Sequence, residues 1–161
     1  MDPVTMKRQD AYNISNALNV LTGGSVAVAK ANVKWQYAIG KNKRVFTDEV
    51  AAINLCRSGL TAYDAQRKAL CEEYCRKDSD GNMVMLKKPM GESFDIPDEK
   101  TAAFTEALAL IRGASKEYAA YQSLLDEDVT LDVYLIALSV VPEGLPQIIM
   151  HALTPIIDPE K

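Results

Sequence analysis

The sequence predicts an α+β fold, predominantly helical: a long antiparallel helical hairpin carrying a small two- to three-stranded β element and a short C-terminal helix. Three observations predict it. Apolar residues recur at helical spacing from Asn32 to Lys77, a second such segment runs from Asp98 to Leu125, and two short β-prone runs lie between them. The 161 residues match a single domain, 1–161, and 48% apolar with 25% charged residues is the usage of a chain with a core.

The first helix is expected over 5–22, with Thr5 as N-cap and Met6, Ile14, Leu18 and Leu21 along one stripe. Gly23-Gly24 should end it, a pair suited to the left-handed cap conformation. Ser25–Ala29 is short and β-branched, and reads as coil or a short strand.

Asn32 is the cap expected for the long helix, 32–77, whose stripe is Ile39, Phe46, Val50, Ile53, Leu60, Tyr63, Leu70 and Tyr74. Arg57 and Arg67 interrupt that stripe, marking an ion pair, a snorkelling side chain or a kink. Gly40 and Gly59 are the places for a bend or a close backbone contact. Unbroken, the element would be about 65 Å long, more than a compact domain of this size is wide.

Asp78-Ser79-Asp80-Gly81-Asn82 should end that helix in a turn, followed by a β-hairpin over 83–96, with strands Met83–Lys87 and Glu92–Ile96 around Pro89-Met90-Gly91. Asp98 caps the next helix, 98–125, whose stripe of Phe104, Leu108, Ile111, Ser115, Tyr118 and Leu125 faces the long helix. Residues 129–137 alternate and then turn wholly apolar, as a third strand beside the hairpin would. Pro146 opens a closing helix, 146–153, carrying Ile148, Ile149, Ala152 and Leu153.

Several kinds of chemistry find no residues to carry them. Met1-Asp2-Pro3-Val4 begins no basic-then-apolar leader, and no apolar run approaches the ~20 residues of a membrane span, so an intracellular protein is expected. Cys56, Cys71 and Cys75 read as reduced thiols, and with His151 as the only histidine a four-ligand zinc site is not expected. The Asp78 turn departs from a calcium loop, since its glycine comes fourth and its twelfth position is Pro89. With no phosphate loop, nucleophile elbow or HExxH, the expectation is no enzyme, no catalytic residue and no cofactor.

Charge is unevenly distributed: residues 1–90 carry 14 Lys/Arg against 9 Asp/Glu, and residues 91–161 carry 4 against 13. Opposite halves either attract within the fold or give the surface a basic and an acidic face. Within that basic half, Lys30, Lys34, Lys41, Lys43 and Arg44 occur without an acid among them, interleaved with Trp35 and Tyr37. Those seven residues are the candidate binding patch, for nucleic acid through phosphate neutralisation and base stacking, or for an acidic protein. They equally fit a solvated basic helix face with its aromatic residues turned into the core.

Asn16-Ala17-Leu18, Trp35-Gln36-Tyr37-Ala38-Ile39 running into Lys41-Asn42-Lys43-Arg44, and Glu73-Tyr74 with Lys77-Asp78 and Asp80-Gly81-Asn82 resemble small uncharacterised proteins encoded by bacteriophages and prophages, over most of the chain. The resemblance implies a phage-encoded origin and the cytoplasm of an infected or lysogenic bacterium; it implies no reaction. A helix longer than a small core needs, together with missing catalytic chemistry, gives the functional expectation. It is a non-enzymatic protein that binds another protein, as an assembly factor or an inhibitor of a host defence component, with self-association open to it. The alternative is a nucleic-acid-binding accessory protein using residues 30–44.

Overall fold

The computed structural model describes residues 1–23 and 32–160. The chain is an α+β protein dominated by helix, as expected, with its strands confined to two-stranded pairs among the described residues. Contacts divide it into two compact units, Met1–Asn54 with Leu125–Lys161, and Leu55–Leu124.

The first unit opens on a strand where a helix cap was expected. Asp2–Lys7 forms β1, antiparallel to β4 (Asp128–Val133), in a register running from Asp2 opposite Val133 to Lys7 opposite Asp128. Thr5 is therefore no N-cap: its hydroxyl meets that of Thr130 at 2.8 Å across the sheet. Met6 is buried as a strand residue instead of on a helical stripe. The local signal of Pro3-Val4-Thr5 is compatible with either element, and a partner more than a hundred residues away decides it. The same pairing corrects the third-strand assignment, because the expected strand 129–137 divides: residues 129–133 pair with the N-terminus and 136–137 with Ile157–Asp158, and neither part joins the hairpin.

Helix α1 (Arg8–Thr22) then buries Ile14, Leu18 and Leu21 as the stripe predicted, together with Ala11, Ser15 and Ala17. Gly23 caps it with right-handed dihedrals, so the left-handed cap is not at this residue, while Gly24 and the coil-or-strand segment Ser25–Ala29 lie outside the described residues. Arg8 ties the unit together. Its backbone N–H donates to Glu127 O at 3.0 Å, and its guanidinium pairs with Glu49 at 2.7 Å and with Glu127.

Helix α2 (Val33–Ser58) is capped by Asn32, whose side-chain oxygen accepts from the Lys34 N–H at 2.9 Å. It buries Trp35, Ala38, Ile39, Asn42, Phe46, Val50 and Ile53. The C-terminal stretch completes this core. β5 (Ile136–Ala137) pairs in parallel with β6 (Ile157–Asp158), and α6 (Gln147–Leu153), starting one residue after Pro146, packs on α1 through fully buried Ile149 and Leu153.

The second unit corrects the single long helix. α2 stops at Ser58 and α3 (Thr61–Tyr74) begins after Leu60, the Gly59 and Leu60 N–H groups closing tighter three-residue bonds to Cys56 O and Arg57 O. A Cβ at Gly59 would lie 3.3 Å from Cys56 O, so glycine suits this tight exit. Gly40, by contrast, lies in unbroken helix. Arg57 is the ion-pair-and-kink residue: its guanidinium spans the break and grips Asp64 with two bonds, 2.7 and 2.5 Å. That grip holds the Asp64 carboxyl below its ordinary range, chiefly through the hydrogen bond from Arg57.

Both partners are partly exposed, so Arg57→Gln should cost only about 0.5–1 kcal/mol at neutral pH. A carboxylate depressed in the folded state stabilises above its unfolded pKa and loses that contribution as pH falls through its folded pKa. The deficit of Arg57→Gln, measured by urea unfolding, should therefore shrink toward zero below the ordinary carboxylate range.

After α3, Asp78 organises the predicted turn by accepting the N–H groups of Asp80 and Asn82, each at 2.9 Å, with Gly81 at φ +83. β2 (Met85–Lys88) and β3 (Gly91–Phe94) make the expected hairpin. α4 (Asp98–Ala114) runs antiparallel to α3, since Tyr74 meets Phe104 while Tyr63 meets Arg112. This is the expected helical hairpin, in shortened form. The predicted helix 98–125 also divides, at Ser115, whose hydroxyl accepts the Tyr118 N–H at 3.1 Å and starts α5 (Lys116–Leu125).

Candidate functional site

The candidate patch separates once α2 is formed. Trp35 belongs to the inward stripe and is fully buried, so its ring is not available to stack on a ligand. Lys34, Tyr37, Lys41 and Arg44 fall at three- and four-residue spacing on the outward side, with Gly40 beside them. Lys43 lies off that stripe and donates to Thr22 Oγ1 at 2.8 Å. Lys30 lies outside the described residues.

Tyr37, 54% exposed, meets Tyr134 edge-to-face with ring centroids 5.6 Å apart, and the Lys41 ammonium stands 5.6 Å from the Tyr37 ring centre. This aromatic pair is a ridge between two concavities of the first unit. On one side a groove of about 480 Å³ has Ala38, Tyr134, Leu135, Ile136 and Val140 among its walls, with Lys34 and Asp2 also lining it. On the other, a dent of about 200 Å³ is formed by Gln36, Tyr37, Gly40, Lys41 and Arg44.

Asn42 sets the ridge in place. Fully buried on the inward face of α2, its amide donates to Tyr134 O and its oxygen accepts the Tyr134 N–H, both at 2.8 Å. The chain between β4 and β5 thus receives from one side chain the two bonds a neighbouring strand would have supplied. Composition gave no hint of Tyr134 as a site residue. The available signal was a polar residue in the middle of the apolar stripe, between Ile39 and Phe46.

Electrostatics sharpens the picture. Lys7–Asp128, Arg8–Glu127 and Arg76–Asp95 each join a cation of the basic half to a carboxylate of the acidic half. Among the described residues, no carboxylate comes within ion-pairing distance of Lys34, Lys41 or Arg44, although Asp48 follows Arg44 one turn on. The charge asymmetry is partly consumed inside the fold, but Lys34, Lys41 and Arg44 take no part in these ion pairs.

Of the nucleophiles, Cys71 is buried, and burial pushes its thiol pKa up, away from the reactive thiolate. Cys75 is buried with Sγ 3.3 Å from Val84 O, Cys56 is exposed, and His151 lies exposed on α6. Among the described residues no group of three or more His, Cys, Asp or Glu converges as a metal site, and no helix is long and apolar enough to cross a membrane. Comparison with protein-family models, with curated proteins and with solved structures finds no match to this chain.

Proposed function

We propose that this chain is a non-enzymatic protein-binding module, of the phage-encoded kind its sequence resembles, acting in the cytoplasm of an infected bacterium as an assembly factor or as an inhibitor of a host defence component. The observation that carries the reading is the Tyr37–Tyr134 ridge beside Lys34, Lys41 and Arg44, cations that no carboxylate pairs among the described residues. Exposed aromatic residues with adjacent arginine are the composition that supplies most binding energy at protein interfaces. Asn42 also pins the Tyr134 backbone with two hydrogen bonds, which lowers the ordering cost of binding on that side of the ridge.

The test is affinity capture with the immobilised chain from infected-cell lysate, paired with Tyr37→Ala. Tyr37 is exposed, so this variant should fold normally and lose the partner; an unchanged capture profile, or no stoichiometric partner, would count against the reading.

A second reading, a nucleic-acid accessory protein, draws on Lys34, Lys41 and Arg44. Burial of Trp35 removes the ring best suited to stacking and leaves electrostatic contact as its main support. Binding of oligonucleotides that weakens steeply with salt would favour it over the first. Self-association is a further use for apolar surface, since α4 buries none of its side chains fully and leaves Leu110 71% exposed. Sedimentation equilibrium of the full chain checks it, and a strict monomer at high concentration would remove it.

A further inference from the structure

Gly40 is unexplained by the fold. It sits in the interior of α2, where glycine weakens a helix relative to alanine, and a Cβ placed there would meet nothing within 4 Å among the described residues. Neither a turn nor packing among the described residues requires it. It lines the dent with Tyr37, Lys41 and Arg44, where a missing side chain leaves room for another main chain to come close to the helix.

We infer that this face takes an extended acidic segment of the protein partner, with one apolar side chain seated in the groove beside Tyr134, its main chain crossing the Tyr37–Tyr134 ridge and passing over Gly40, and its carboxylates meeting Lys41 and Arg44. The inference rests on the protein-binding reading and adds the class of occupant. Two concavities on either side of a ridge fit a chain that spans both better than one compact molecule. The groove lining, which includes buried Ala38 and Ile136, suits an apolar anchor. Lys41 and Arg44, which no carboxylate pairs among the described residues, supply the charge preference, and Asp2, the one carboxylate among the described residues lining the groove, is not among the residues of the dent.

The experiment is a titration of the isotopically labelled full chain, followed by amide NMR shifts, with a capped oligoglutamate peptide carrying one central phenylalanine. Parallel titrations use its lysine counterpart, the same peptide without phenylalanine, and oligothymidylate. Saturable shifts should centre on Tyr37, Gly40, Lys41 and Tyr134, and the lysine and phenylalanine-free peptides should bind more weakly. Combining Lys41→Glu with Arg44→Glu should weaken binding about tenfold or more. Gly40→Ala should raise Tm by a few degrees and still weaken the peptide severalfold. Gly113→Ala, at a helical glycine in the second unit whose Cβ also meets nothing, should leave the affinity unchanged. Absence of saturable binding, shifts centred elsewhere, Gly40→Ala binding as well as wild type, or tighter binding of oligothymidylate would each overturn the inference. If a lysate partner is lost with Tyr37→Ala but kept by the Lys41→Glu, Arg44→Glu variant, the protein-binding reading stands and the acidic occupant falls.

Discussion

Replacing Asn42 by alanine should destabilise the protein by about 2–5 kcal/mol, because it orphans two backbone groups at once. The Asn42 amide is the partner of both the N–H and the C=O of Tyr134, at 2.8 Å each, and the Asn42 side chain itself is fully buried. An unsatisfied buried polar group costs about 1–3 kcal/mol, and alanine also leaves a small cavity. Asn42→Asp is the more diagnostic change. It keeps an acceptor for the Tyr134 N–H but sets a carboxylate against the Tyr134 carbonyl, so burial and that carbonyl should raise its folded pKa above the unfolded value. For an acid shifted in this direction the folded state holds the extra proton, and stability falls as pH rises through the interval between the two pKa values. Asn42→Asp should therefore approach wild-type stability in acid, where the protonated group donates to Tyr134 O, and lose most at neutral pH. Denaturant midpoints across that range measure it; an Asn42→Ala loss below about 1 kcal/mol would show that the two bonds contribute little.

Trp35→Ala should cost about 3–5 kcal/mol, the ordinary loss for deleting a large buried aromatic side chain. Trp35→Phe should cost much less than its lost area suggests. Among the described residues the Trp35 indole N–H has no acceptor, so phenylalanine removes an unsatisfied donor along with part of the ring. Trp35 is the chain's sole tryptophan, which gives a direct optical check on its placement. Emission should be blue-shifted, nearly insensitive to iodide, unchanged by oligonucleotide, and red-shifted on unfolding. Strong quenching by iodide or by oligonucleotide would place the ring at the surface and restore it to the candidate patch.

The patch shows how far linear reading reaches. Basic residues and aromatic residues are interleaved in sequence, but a helix sorts neighbours onto opposite faces. Trp35 goes inward and Tyr37 outward though two positions apart, and Lys43 leaves the stripe that holds Lys41 and Arg44. The inward stripe itself was legible, since Ile39, Phe46, Val50 and Ile53 are buried as their spacing predicts. Leu60, Tyr63 and Leu70, in the second unit, are buried as their spacing predicts. Arg57 marked that break as an intrusion in the apolar pattern, and its ion pair with Asp64 is the physical content of the mark. The Asp78 turn was equally local, because an aspartate carboxylate and a glycine at positive φ suffice to build it.

Helical periodicity, turn chemistry and the apolar stripes were thus determined by the sequence alone, because each depends on residues within a few positions of one another. Tertiary structure alone decided that Asp2–Lys7 is a strand, that β4 joins it and not the hairpin, and that Asn42 reaches across to Tyr134. The reason is the same in all three: the deciding hydrogen-bond partner lies about 90 to 130 residues away, and a backbone segment of ambiguous propensity takes the form that satisfies its buried polar groups.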